Sequence, residues 1–181
     1  MAKFPTRDLI LNADNVDFEI LFSNLEGRKE GYDQDGDRKF RLKFNDPELA
    51  QQLAEDGWNI RIYTPKNEEY DPYYYMKVVT KFRVDSEKVR QDPEIHLVNS
   101  KNDILCGPQN MRDVDMAFHN HKVERVDLSI NPYHWNNPTI GKGEGVAAYI
   151  REMWVEIQDS PFASRYANRS SFNAGSEEVP F

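Results

Sequence analysis

Hydrophobic and polar positions alternate in several stretches of this chain, most clearly in Tyr73-Tyr74-Tyr75-Met76-Lys77-Val78-Val79-Thr80-Lys81-Phe82-Arg83-Val84. Rich in aromatic and β-branched residues and free of Gly and Pro, this run predicts a strand. Successive strand side chains point to opposite faces. The even set, Tyr74, Met76, Val78, Thr80, Phe82 and Val84, suits a core. The odd set, Tyr73, Tyr75, Lys77, Val79, Lys81 and Arg83, mixes aromatics with cations. Residues 38 to 44 repeat the pattern, with Phe40, Leu42 and Phe44 against Lys39, Arg41 and Lys43. Residues 58 to 64 set Trp58, Ile60 and Ile62 inward and Asn59, Arg61 and Tyr63 outward.

The remaining elements follow from the same reading. Val16, Phe18, Ile20 and Phe22 alternate with Asp17, Glu19, Leu21 and Ser23 and predict a first strand. Gly27, Gly31 and Asp35-Gly36 mark a hairpin loop. Asp33, Asp35 and Asp37 do not make it a calcium loop, because Arg38 and Phe44 stand where that motif needs Gly and Glu. Asn45 or Asp46 caps a helix that opens at Pro47, carries Leu49 and Leu53 on one face and ends at Gly57. A short strand over 94–99 precedes a loop over 100–112, and 113–120 accommodates a helical turn. Val126, Leu128 and Ile130 mark a strand from Val123 to Ile130. Residues 131–138 read as a loop exposing Tyr133 and Trp135, followed by a turn at Gly141, Gly143 and Gly145. Residues 146–157 fit helical spacing as well as a closing strand; the strand is the reading taken. The first dozen residues read as an arm with little to hold it down, and 159–176 as a mobile tail.

Composition sets the class. A chain of 181 residues with 39% hydrophobic and 30% charged residues can bury a sizeable core in one domain. No apolar run reaches the roughly 18 residues of a membrane span, and residues 1–7 lack the apolar core of a signal peptide. The single Cys106 excludes an internal disulfide and fits a reducing cytosol. The net charge of −8 argues against a protein that is basic all over. A local basic face still acts, because fields are screened over about 8–10 Å at physiological salt.

Such a face is what the three best strands propose. Lys39, Arg41, Lys43, Arg61, Tyr63, Tyr73, Tyr75, Lys77, Lys81 and Arg83 fall on outward positions with no acid among them, although acids outnumber bases 31 to 23. Cations hold phosphates and Tyr rings stack bases, so the pattern points to single-stranded nucleic acid, with Tyr133 and Trp135 as an extension of the platform. Trp58 and Trp154 are assigned to the core. The alternative is an interaction module whose basic face meets an acidic protein. Enzyme chemistry has little support. His96, His119, His121, His134 and Cys106 lack zinc spacing, the three glycines at 141–145 match no nucleotide motif, and no cofactor or metal is implied. A nuclease would have to use Asp33, Asp35 and Asp37.

The chain closes on Glu177-Glu178-Val179-Pro180-Phe181, two acids, an apolar residue, Pro and a terminal ring. This tip resembles the acidic, Phe-terminated tip of bacterial and phage single-stranded DNA-binding proteins. It is shorter in acids than is usual there, with Arg165 and Arg169 upstream. The order of predicted elements over 14–158 resembles the phage-encoded members, T7-like proteins included. The resemblance implies a mainly β fold, an OB-fold-like closed or partly open β-barrel with one or two short helices and a flexible C-terminal tail. It also implies three segments: an arm at 1–13, the DNA-binding domain at 14–158, and a tail at 159–181 ending in the tip. In function it implies a non-catalytic, sequence-independent protein of the host cytoplasm that protects single-stranded DNA and recruits replication or recombination proteins through Glu177, Glu178, Val179, Pro180 and Phe181. Whether it forms a homodimer stays open.

Overall fold

The computed structural model describes residues 3–29, 36–82, 92–136 and 143–159. Within them the chain forms strands β1 Leu9–Asn12, β2 Phe18–Asn24, β3 Arg38–Phe44, β4 Arg61–Tyr63, β5 Tyr73–Thr80, β6 Glu94–Val98, β7 Asp103–Cys106, β8 Val123–Asn136 and β9 Glu144–Ile157. Helix α1 spans Pro47–Glu55 and helix α2 spans Met111–His119. No helix among the described residues is long and apolar enough to cross a membrane.

Period-two alternation decides which way each strand faces. In β3, Phe40, Leu42 and Phe44 are buried while Lys39, Arg41 and Lys43 are half-exposed; in β5, Met76, Val78 and Thr80 are buried. Helix α1 starts as its sequence dictates, with the Asp46 carboxylate accepting the Glu48 N–H at 2.9 Å and Pro47 in the first turn. Its Ala50 and Leu53 enter the core. Gly57, at φ +103°, ends the helix, and a Cβ there would collide with the Lys3 carbonyl oxygen.

The principal strand order is β1-β8-β9-β5-β3-β2. β9 runs antiparallel to β8 and parallel to β5 through Val78↔Ala148 and Val79↔Tyr149. The fold is mainly β, a partly open OB-like barrel in which β2, β3, β5, β9 and β8 form the wall and α2 precedes β8. The sheet does not close, because β1 and β2, its two ends, do not pair. Helix α2 packs on β2 beside this seam. The Asp115 carboxylate accepts the Glu26 N–H at 2.8 Å, and His119 Nε2 lies 3.1 Å from the Ser23 carbonyl. Leu11, Phe40, Leu42, Met76, Ile95, Met111, Val114, Ile130, Met153 and Val155 form the heart of one core.

Several elements differ from what the sequence predicts. The arm is held, since β1 pairs with β8 and buries Leu11. The 58–64 strand shrinks to Arg61–Tyr63, and Ile62, expected inward, is 61% exposed. β4 pairs with β5 at Tyr73–Tyr75, and all three of its residues are exposed. The loop over 100–112 contains β7, which pairs with β6 and exposes Ile104 and Leu105. Residues 131–136, expected as loop, continue β8 along β9. Trp154, expected as core, is half-buried and stacks on His96 with ring centroids 3.6 Å apart. The closing strand over 146–157 is present as β9. Asp33, Asp35, Arg83, Val84 and the tip lie outside the described residues.

Candidate nucleic-acid interface

Backbone pairing, rather than proximity in sequence, assembles the basic and aromatic residues. β5 is flanked by β3 on one edge and β4 on the other, and the odd positions of all three share the outer face. Tyr75 stands between Lys43 and Arg61, Tyr73 is opposite Tyr63, and Arg41 is opposite Lys77. An open cleft of about 1090 Å³ results, lined among the described residues by Lys39, Arg41, Lys43, Arg61 and Lys77 with a single carboxylate, Asp71. That local excess of positive charge sits on a protein whose net charge is −8.

The rings and cations hold one another in place. Tyr63 and Tyr73 have centroids 5.1 Å apart, and Tyr73 and Tyr75 5.9 Å apart. The Arg41 guanidinium lies 4.5 Å from the Tyr75 centroid, 5.8 Å from Tyr63 and 5.1 Å from Phe22, and one of its N–H groups reaches the Tyr73 hydroxyl oxygen at 3.4 Å. Lys43 Nζ lies 5.4 Å from the Tyr73 centroid. These contacts orient the rings while leaving the cleft open, which is the arrangement a stacking platform needs. Arg61 and Lys77 are exposed and make no ion pair among the described residues, so both are available to an incoming phosphate.

The outward surface is not free of acids. Glu19 on β2 is paired with Lys43 in the sheet register and reaches its Nζ at 3.2 Å. The acid lay on a neighbouring strand, where the count along β3, β4 and β5 does not include it.

The structure brings some of the expected residues to the cleft and leaves others outside. Lys39, Arg41, Lys43, Arg61, Tyr63, Tyr73, Tyr75 and Lys77 all line it. Trp135 lines a smaller hollow of about 200 Å³ whose wall includes Arg61 and Lys77, so it adjoins the cleft. Its indole lies against Gly145, where an added Cβ would come 2.5 Å from it. Tyr133 is further along β8, edge-on to Tyr149 with centroids 5.5 Å apart, and lines neither cavity. Lys81 is exposed just past the end of β5 and outside the cleft lining. Phe22, Leu21 and Tyr70 line the cleft without having been expected there. Phe22 is the main correction: placed by alternation on one face with Phe18 and Ile20, it is 69% exposed because β2 bulges between Leu21 and Asn24.

A second groove, of about 740 Å³, follows the open seam between β2 and β8. Asp14, Asp17, Glu19 and Glu124 line it, and Arg125 there is bound to Asp14 at 2.7 Å. Those carboxylates repel phosphate, so the seam does not compete with the cleft as a nucleic-acid site.

Comparison with known proteins matches residues 5–179 to the family described as "Putative phage ssDNA-binding domain". Among solved structures, the chain is similar to the C-terminally truncated single-stranded DNA-binding protein from bacteriophage Enc34. That match has a TM-score of 0.49 and 11% identity over 86% of this chain and 88% of that one. It is also similar to gp2.5, a single-stranded DNA-binding protein encoded by bacteriophage T7, at a TM-score of 0.37 and 8% identity over 95% and 98% of the two chains. No curated protein matches the sequence.

Proposed function

The chain belongs to the phage ssDNA-binding domain family, and from that premise we infer that it binds single-stranded DNA in the cleft over β3, β4 and β5. The observation that supports this reading most is the convergence of Lys39, Arg41, Lys43, Arg61 and Lys77 around Tyr63, Tyr73 and Tyr75. The cations neutralise phosphates and release counterions, which supplies sequence-independent affinity. The rings stack bases, and every base offers a π-face, so recognition tolerates any sequence. Trp135 and Tyr133 extend the platform along β8, and Lys81 and Arg83 provide further phosphate contacts beyond β5. On this reading the protein is non-catalytic and covers single-stranded DNA in the host cytoplasm. Residues 14–158 carry that activity, with β1 before them completing the sheet.

Protection during replication and recombination is the role we propose for this binding. Glu177, Glu178, Val179, Pro180 and Phe181 recruit protein partners, the acids meeting a basic rim and the ring an apolar pocket. Titration of intrinsic fluorescence with poly-dT tests the binding reading. A rival reading, an acidic protein as the occupant of the cleft, shares the cations but stacks no base on the three rings. Loss of both Tyr73 and Tyr75 separates the two.

A further inference from the structure

Phe22 combines two features that packing does not explain. It is a bulky residue at φ +53°, in the left-handed region that side chains other than those of Gly, Asn and Asp seldom occupy. It is also 69% exposed, so no core contact compensates for the backbone strain. The cause is local. In the β2–β3 register Leu21 is opposite Arg41 and Asn24 opposite Lys39, so β2 carries one extra residue there. A bulge of this kind re-aims side chains, and here it turns a ring that alternation would bury onto the rim of the cleft. The Arg41 guanidinium lies 5.1 Å from that ring and 4.5 Å from the Tyr75 ring. Phe22, Arg41 and Tyr75 therefore form a row across β2, β3 and β5.

We propose that Phe22 is a base-stacking subsite at the β2 rim of the cleft, held in a strained backbone so that its ring is presented to a nucleobase of the bound strand. The proposal rests on the reading of the cleft as a single-strand groove and adds to it a residue and a direction. The strand crosses β2, β3 and β5 rather than following the length of β5, and one of its bases is received by Phe22. Strain of this kind accumulates where a side chain serves a ligand rather than the fold.

The two effects of Phe22, on stability and on binding, have opposite signs and can be read separately. Glycine adopts φ +53° without strain, so Phe22→Gly is expected to raise the melting temperature while weakening affinity for an oligo-dT roughly five- to a hundred-fold. Phe22→Ala gives the same loss of affinity without the thermal gain, and Phe22→Trp retains binding. In all three the salt dependence of affinity keeps its slope, because no phosphate contact is removed. Tyr75→Ala serves as the control for the cleft itself. If wild-type protein binds and Tyr75→Ala weakens it, but Phe22→Gly and Phe22→Ala bind like wild type, the subsite is wrong and the cleft reading survives. If Phe22→Gly and Phe22→Ala melt lower at unchanged affinity, Phe22 is structural and the proposal fails. If the wild-type chain binds no oligo-dT, the cleft reading itself is lost, and the subsite with it.

Discussion

The guanidinium of Arg41 lies 4.5 Å from the centre of the Tyr75 ring, two residues that are 34 positions apart in sequence and diagonal neighbours across β3 and β5. Arg41 also contacts Tyr63, Phe22 and the Tyr73 hydroxyl, so one cation orders four rings. Arg41→Ala is expected to weaken single-stranded DNA binding twice over, by removing a phosphate partner and by loosening the rings. The slope of log affinity against log salt should fall by about 0.7, the share of one phosphate on a single strand. Arg41→Lys should keep the slope and still lose affinity, because an ammonium lacks the planar face that stacks on rings. A salt series on the three proteins checks both.

Replacing Tyr73 and Tyr75 together by Ala should weaken binding by roughly 1–3 kcal/mol for each ring that stacks a base. The fold should hold, because the residues that β5 gives to the core are Met76 and Val78. Circular dichroism and an oligo-dT titration of the same preparation decide it. Unchanged affinity would favour an acidic protein as the occupant of the cleft.

His96 gives the chain a pH dependence remote from the cleft. Burial lowers its pKa, but hydrogen bonds and charge attraction from Asp103 at 2.8 Å and Glu94 at 3.3 Å outweigh that and raise it. A histidine raised on folding contributes stability that is fully present below its unfolded pKa of about 6.5 and is lost as pH climbs through the folded value. The melting temperature should therefore decline from about pH 6 to above the folded pKa. His96→Gln should remove that part of the decline and leave DNA affinity as it was.

Gly57→Ala should destabilise the protein by more than about 1 kcal/mol, since alanine meets strain at φ +103° and its methyl collides with the Lys3 carbonyl oxygen. The displaced segment would be the one that places Phe4 4.2 Å from His134, so urea melts should show the loss of stability and limited proteolysis should cut the arm faster.

Deleting residues 176–181 should leave DNA affinity unchanged or raised while abolishing capture of replication or recombination proteins. Weaker DNA binding after deletion would contradict the role given to the tip.

What was legible in the sequence depended on whether one face of a strand is buried. β3 and β5 were readable because Phe40, Leu42, Phe44, Met76 and Val78 enter the core, which forces Lys39, Arg41, Lys43, Tyr75 and Lys77 outward. β7 was not, because Ile104 and Leu105 are both exposed on an edge strand and leave no alternation to read. Asn131-Pro132 looked like a turn, yet Pro132 lies beyond the last β1 partner, Ile130, where β8 has a free edge and tolerates a proline. Phe22 shows the limit of period-two reasoning, since a single extra residue in β2 reverses every later assignment and leaves no local mark. The salt bridge from Lys43 to Glu19 was hidden for another reason: which strands are neighbours is a property of the barrel, not of any one strand.

Occupation of the cleft by single-stranded DNA, through charge and stacking together, is read out by fluorescence titration with poly-dT across a range of salt concentrations. Quenching is expected at low salt, with affinity that falls linearly on logarithmic axes by about 0.7 for each phosphate contacted. Absence of quenching at low salt, or affinity indifferent to salt, would contradict it.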